Sequence, residues 1–168
     1  KINQVVIGSS ANPGLRDFWI ASQIVKGQVV APHVSLDINP SSRQVLENLT
    51  EMGALGPLIA AGGRLHQSGC MGCIGMGQAP ATNTISIRTM PRNFPGRSGT
   101  LDDRVYLCSP ETAMAAAITG EITDPRDLES VRNITYPKWI APAQIKINKK
   151  MLIAPTDASS ELVKGPDI

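Results

Sequence analysis

Aromatic residues are scarce in this sequence, long apolar runs are missing, and the net charge is only +2. Aromatic side chains make up 4% of the 168 residues, which predicts an aliphatic core. No apolar run approaches the roughly 18 residues that a membrane span needs. Lys and Arg total 16 against 14 Asp and Glu, and they are scattered, so no nucleic-acid face is indicated. We therefore predict a protein without membrane or nucleic-acid partners.

Cysteine is also rare, and its number argues against a disulfide framework. The chain has three cysteines, Cys70, Cys73 and Cys108. A chain of this length buries on the order of 70% of its unfolded surface on folding, so it needs no disulfide to remain folded. An odd number of cysteines in such a chain favours a reducing compartment, and we predict a cytoplasmic location.

Hydrophobic periodicity predicts alternating strands and helices. Strands are expected from Gln4 to Gly8, within 29–38, over 85–90 and over 104–109, and helices over 13–27, 40–53, 55–61 and 110–120. Such alternation implies right-handed crossovers, and we predict an α/β fold of three α/β/α layers with a mainly parallel sheet. Ligands of such sheets bind at the carboxyl ends of strands, where both the turn over 8–13 and the loop after Met90 fall.

The sharpest local feature is the Cys-x-x-Cys pair, Cys70 and Cys73. Two thiolates at this spacing can reach one metal ion or one face of a cluster, but the spacing also suits a redox pair or half of a zinc site. The remaining candidate zinc ligands are Cys108, His33 and His66, none of which forms a second paired motif. Zinc is therefore the weaker metal, and the local pattern leaves metal ligation and redox chemistry open.

Two other loops also carry candidate functional residues. In the turn over 8–13, Asn12 is expected to cap a helix whose first residue is Pro13, which makes the turn a simple connection. In the loop after Met90, Arg92 and Arg97 present two guanidinium groups that can each bind a carboxylate in bidentate fashion. Taken alone, the two arginines are as easily explained as solvated surface residues.

Four motifs, in this order, resemble the cluster-bearing domain of the aconitase superfamily. That family has Ile-Gly-Ser-Cys-Thr-Asn, Gly-Cys-x-x-Cys-x-Gly, Asn-Arg-Asn-Phe-x-Gly-Arg and a strand that ends in Ser-Pro before an Ala-rich helix. The matching stretches are Ile7-Gly-Ser-Ser-Ala-Asn12, Gly69-Cys-Met-Gly-Cys-Ile-Gly75, Pro91-Arg-Asn-Phe-Pro-Gly-Arg97 and Ser109-Pro-Glu-Thr112. The resemblance covers residues 2 to about 127 and looks closest to the third domain of a single-chain aconitase.

The resemblance implies a role for each of these residues. Cys70 and Cys73 match two of the three cysteines that hold a four-iron, four-sulfur cluster. Ser10 stands at the position of the third cluster ligand, where a hydroxyl is a poor replacement for a soft thiolate. Arg92 and Arg97 match arginines that bind substrate carboxylates. No catalytic base is expected within this chain.

The resemblance also implies that the chain is part of a longer hydro-lyase. Residues 1–127 are expected to form the cluster and substrate-binding domain, 128–153 an extension packed on it, and 154–168 a linker towards a swivelling domain of the same parent. The implied reaction isomerises a hydroxy di- or tricarboxylic acid of the citrate and isocitrate type by dehydration and rehydration, and the fragment alone is expected to be inactive. The alternative is a family member without catalysis that has lost the cluster at Ser10 and keeps the fold as a binding module.

Overall fold

A five-stranded parallel sheet organises the chain. The computed structural model describes residues 1–150, 152–155 and 165. The strands are β1 (Gln4–Gly8), β2 (Ser35–Asn39), β3 (Arg64–Leu65), β4 (Ile85–Arg88) and β5 (Arg104–Leu107), in the order β3-β2-β1-β4-β5. Every pairing between neighbours is parallel. The predicted α/β class with a parallel sheet is confirmed, and every strand pairing is parallel where the sequence predicted a mainly parallel sheet.

Helices join these strands and pack together. They are α1 (Leu15–Val25), α2 (Arg43–Glu51), α3 (Leu55–Ala60), α4 (Pro110–Thr119) and α5 (Leu128–Arg132). The ends of α4 follow simple rules, since the Ser109 side chain accepts a hydrogen bond from the Thr112 amide and Gly120 ends the helix in a left-handed conformation. Because α1 contacts α2, α3 and α4, these helices form one layer on the sheet.

The core lies between that helical layer and the sheet. Val5 and Ile7 of β1 point into it, together with Phe18 of α1 and Met114 of α4, and all four are fully buried. Val6 points to the opposite face, where it packs with Cys73 and Met90. The strand alternation therefore divides β1 between two apolar clusters. Loop segments bearing the cysteines and the residues after β4 cover this second face near Val6.

The first turn differs from the sequence-based prediction. Asn12 does not cap a helix that starts at Pro13, because α1 begins at Leu15 and Gly14 is its N-cap residue. The Gly14 amide donates instead to the Asp17 carboxylate at 3.2 Å. The side-chain amide of Asn12 donates to the backbone carbonyl of Thr89, at the end of β4. A partner distant in sequence has thus replaced the local capping interaction.

Two short elements were not predicted from the sequence, β3 and α5. β3 has only two residues, Arg64 and Leu65, and both are exposed, so no apolar run marks it. α5 has five residues and buries a single side chain, Leu128. Elements this short carry too few residues for periodicity to be visible.

Residues 128–150 lie along the helical layer. Trp139 packs edge to face on Trp19 of α1, with ring centroids 5.2 Å apart. The Lys146 amide donates to the Asn48 side chain of α2 at 2.8 Å, and the Asn48 amide donates back to the Lys146 carbonyl at 3.0 Å. The predicted linker over 154–168 falls mostly outside the described residues. No helix in the described part of the chain is long and apolar enough to cross a membrane.

Candidate functional site

A cavity opens at the carboxyl ends of the strands, where β1 lies between β2 and β4. The loops that leave β1 and β4 diverge there, which is the usual ligand position in an open parallel sheet. The cavity has a volume of about 240 Å³ and is lined by Ser10, Ala11, Cys70, Cys73, Met90, Pro91, Arg92 and Arg97. All five site residues predicted from the sequence line this cavity, although Ser10 and Cys70 are far apart in the chain. Their roles stay predictions.

The two cysteines sit in a compact turn that we call the cysteine segment, residues 69–78. Within it, Gly72–Ile74 form a single 3-10 turn that ends at Gly75 in a left-handed conformation. The sulfurs of Cys70 and Cys73 are joined in a disulfide, with Cα atoms 5.7 Å apart. Cys70 is exposed, whereas Cys73 is buried against Val6 and Met90. The pair thus presents one sulfur outward and holds the other against the sheet.

Arg97 fixes the inner cysteine to the loop after β4. Its guanidinium donates to the Cys73 carbonyl at 3.0 Å and to the Cys73 sulfur at 3.3 Å. The same guanidinium lies 5.9 Å from the centre of the Phe94 ring, within the range of a cation–π contact. Arg92 is exposed at the cavity rim. One guanidinium is therefore held beside sulfur, while the other faces solvent.

Small polar side chains hold the turn that carries Ser10. The Ser9 hydroxyl accepts hydrogen bonds from the amides of Ala11 and Asn12 at 3.3 and 3.2 Å. The Gly8 amide donates to the Thr89 hydroxyl at 3.0 Å, which ties the turn to the end of β4. Thr89 is not among the site residues predicted from the sequence, and its only signal there is its position near the end of the strand predicted over 85–90, just before the loop with Arg92 and Arg97. The turn and the arginine loop are thereby positioned together.

The family comparison agrees with these motifs and their arrangement. The family model described as the Aconitase family (aconitate hydratase) matches residues 1–120. The chain belongs to the aconitase family. The resemblance inferred from the four motifs is confirmed.

Relatives within the aconitase family are about two fifths identical to this chain over the residues that align. The 3-isopropylmalate dehydratase large subunit of Aliarcobacter butzleri is 42% identical over 130 residues, which cover 76% of this chain and 30% of that protein. The homoaconitase large subunit of Thermus thermophilus is 39% identical over 131 residues, covering 77% of this chain and 31% of that protein. The chain therefore spans just under a third of the length of these relatives.

The donor set fits the aconitase-family cluster at two positions out of three. Hydro-lyases of this family generally carry a four-iron, four-sulfur cluster. Cys70 and Cys73 bring two sulfurs to one cavity wall, and the hydroxyl of Ser10 lies on the same cavity. Among the described residues, no group of three or more His, Cys, Asp or Glu side chains could hold a metal ion. A cluster here would therefore rest on two thiolates and one oxygen, which is a weaker donor for iron–sulfur sites.

Cys108 lies away from this donor set, and we expect it to react slowly with alkylating reagents. It packs against the main core, and burial raises the pKa of its thiol to about 12. Only the thiolate reacts, so its alkylation by iodoacetamide should rise about tenfold per pH unit between roughly pH 8 and 10, without a plateau. When the Cys70–Cys73 disulfide is left oxidised, Cys108 is the thiol that reacts. The alkylation rate of free cysteine, measured in parallel, should level off near pH 9. A plateau at the same pH for Cys108 would contradict the burial of its thiol.

Proposed function

We propose that this chain is the cluster-binding and substrate-binding part of a hydro-lyase that dehydrates and rehydrates a hydroxy di- or tricarboxylic acid. The observation that carries this proposal is the cavity that two arginines, Arg92 and Arg97, line together with a cysteine pair. Carboxylates bind well to guanidinium groups, because the two form parallel charge-assisted hydrogen bonds. The names of the relatives, a dehydratase and a homoaconitase, support the same reaction class. No comparison supports the alternative of a binding module without catalysis.

In this proposal Cys70, Cys73 and Ser10 hold the cluster. When bound, the cluster supplies an iron that acts as a Lewis acid towards the substrate hydroxyl and carboxylate. Both cysteines must be reduced for this role, since only thiolates are ligands. Ser10 contributes an oxygen, and retention of the cluster is therefore expected to be weak.

The chain's own residues bind and orient the substrate. Arg97 is held by the carbonyl and sulfur of Cys73, so a carboxylate bound to Arg97 would lie next to the cysteine pair. Arg92, exposed at the rim, is available for a second carboxylate. The described lining contains no carboxylate, histidine or lysine that would serve as a general base. We propose that the base belongs to other domains of the same parent and that this chain alone is inactive.

The finer substrate assignment is also a proposal. The resemblance to a single-chain aconitase implied the citrate and isocitrate pair, as in a tricarboxylic acid cycle enzyme, whereas the relatives are named for 3-isopropylmalate dehydratase and homoaconitase. Ala11, Met90 and Pro91 form an apolar part of the cavity wall, opposite in character to the arginines. Citrate and 3-isopropylmalate are therefore the two ligands to compare, since one offers a third carboxylate and the other an apolar group.

Binding of these acids by the chain tests the arginine assignment. We expect Arg92→Ala and Arg97→Ala each to weaken binding by about 10-fold to 100-fold, which corresponds to the loss of one charge-assisted hydrogen-bond pair. Titration calorimetry or NMR shift titration measures the dissociation constants. Arg43→Ala is the matched control, because Arg43 is exposed at the start of α2 and outside the cavity lining.

Two results would contradict this assignment. One is binding that Arg43→Ala weakens as much as the cavity variants do, because the effect would then be one of net charge. The other is binding that is unchanged in both Arg92→Ala and Arg97→Ala.

A further inference from the structure

Arg88 of β4 is a fully buried arginine beneath the cysteine segment, with 0% of its surface exposed. Its guanidinium donates to the Gly72 carbonyl at 3.0 Å and to the Gln78 carbonyl at 2.6 Å. These two carbonyls flank Cys73 on either side along the chain. One rigid group therefore connects both sides of the turn that presents the inner cysteine.

The same guanidinium is anchored to the sheet. It donates to the Ser86 hydroxyl at 2.9 Å and to the side-chain carbonyl of Gln4 at 2.9 Å. The Gln4 side-chain amide donates in turn to the Gln78 carbonyl at 3.2 Å. Gln4 and Ser86 are register partners on β1 and β4, so their side chains lie on one face of the sheet. The cysteine segment is thus tied through Arg88 to the two central strands.

The free-energy cost of burying the Arg88 guanidinium is offset by hydrogen-bond acceptors and by negative charge nearby. Burial lowers the pKa of Arg88 to about 10, against the opposing influence of Asp103 and Asp37, so the side chain is charged at neutral pH. Asp37 on β2 is itself fully buried and pairs with Arg64 at 2.7 Å and His66 at 2.9 Å. A buried guanidinium with this many acceptors is costly to remove, because each acceptor would lose a charged donor.

Packing leaves the turn little room to move above this guanidinium. A Cβ atom placed on Gly72 would lie 1.6 Å from the Gln78 side-chain oxygen and 2.5 Å from that of Asn39. The close approach at Gly72 and the two hydrogen bonds from Arg88 act on the same backbone. Together they define one position for Cys73.

We infer that Arg88 is a positioning residue: its guanidinium bridges Gly72 and Gln78 and thereby holds Cys73 at the cavity. The inference rests on the proposed function only in assigning Cys73 to cluster binding. A planar fork is required, because a lysine ammonium is a single compact donor group and does not span two carbonyls in the same way.

Residue-resolved alkylation of the reduced chain tests this role. Iodoacetamide labelling followed by mass spectrometry gives separate rates for Cys70, Cys73 and Cys108. In Arg88→Met and Arg88→Lys we expect Cys73 to react at least about tenfold faster, since loss of a charge-assisted hydrogen bond to the turn favours local opening by that factor or more. Cys108 should stay within about twofold of the parent, because it lies in the other packing cluster.

Arg64→Met is the matched control. It also removes one positive charge beside Asp37, but Arg64 is largely exposed, donates to the Ser35 hydroxyl and forms an ion pair with Asp37. We expect its Cys73 rate to stay within about twofold of the parent.

A second readout is the sulfur-to-cobalt absorption band of the reduced chain titrated with Co²⁺, which reports two thiolates on one metal ion. Its midpoint should shift to at least about tenfold higher Co²⁺ in both Arg88 variants.

Three results would overturn the inference. They are a Cys73 rate in Arg88→Lys within about twofold of the parent, equal acceleration of Cys73 and Cys108 in both variants, and an unshifted cobalt midpoint. Arg88→Lys keeps the buried charge, so it serves if Arg88→Met does not fold. If the chain does not bind the carboxylic acids, or binds them equally well in Arg92→Ala and Arg97→Ala, the proposed substrate is refuted. The alkylation rates of Cys73 would be unaffected by that result.

Discussion

Replacing Ser10 with cysteine is expected to raise the iron and sulfide bound per chain after anaerobic reconstitution by on the order of tenfold, the size of change that alterations around a metal commonly produce. The reason is the donor atom. Cys70 and Cys73 already share a cavity with Ser10, and the substitution places a soft thiolate at the remaining position. Iron and sulfide analysis, with the visible absorption of the cluster, measures the change.

Cys108→Ala is the control for that experiment. Cys108 packs on the main core and is absent from the cavity lining, so its removal should leave the bound iron unchanged. The opposite pattern, with no gain in Ser10→Cys and loss of cluster in Cys108→Ala, would make Cys108 the third ligand. It would also show that the first motif had been aligned to the wrong site.

Gly8→Ala is expected to destabilise the fold by about 3 to 5 kcal/mol, the sum of backbone strain and overpacking. Gly8 has a φ of +121°, and a Cβ atom there would lie 1.7 Å from the Asn39 carbonyl oxygen of the neighbouring strand. The clash involves backbone on both sides, so no side-chain movement relieves it. Urea unfolding followed by far-UV circular dichroism measures the loss in the free energy of unfolding.

Gly56→Ala provides a matched comparison. Gly56 lies in α3, and a Cβ atom there would meet nothing within 4 Å. Alanine favours helix over glycine by roughly 0.5 to 1 kcal/mol, so this variant should be as stable as the parent or slightly more stable. Equal stability of Gly8→Ala and Gly56→Ala would contradict the close strand contact at Gly8.

The position of the cavity could be predicted from the sequence because it follows from the geometry of parallel sheets. Strand and helix periodicity indicated a parallel sheet, and the carboxyl ends of neighbouring strands meet at one edge. The turn with Ser10 and the loop with Arg92 are therefore expected at the same edge from the sequence alone. Local spacing indicated Cys70 and Cys73 as possible ligands, but only the family motifs joined them to Ser10, because their segment has little regular structure of its own.

The role of Arg88 could not be predicted from the sequence, because alternation of polar and apolar residues along a strand does not distinguish a solvated face from a covered one. In β4, Ser86 and Arg88 alternate with apolar residues, a pattern that is also typical of a strand with one face in water. Here the cysteine segment covers that face, and Arg88 is fully buried. Asn12 shows the same limitation at a turn, since its preference for capping yields to the distant carbonyl of Thr89.

The contact between Trp19 and Trp139 determines what an optical experiment on this chain observes. These are the two tryptophans of the sequence, and they meet edge to face where residues 128–150 cross α1. Tryptophan emission therefore reports on that crossing, since neither tryptophan lines the cavity. An unfolding curve followed by fluorescence would record release of the crossing segment, and its agreement with circular dichroism would show whether that segment and the sheet unfold as one cooperative unit.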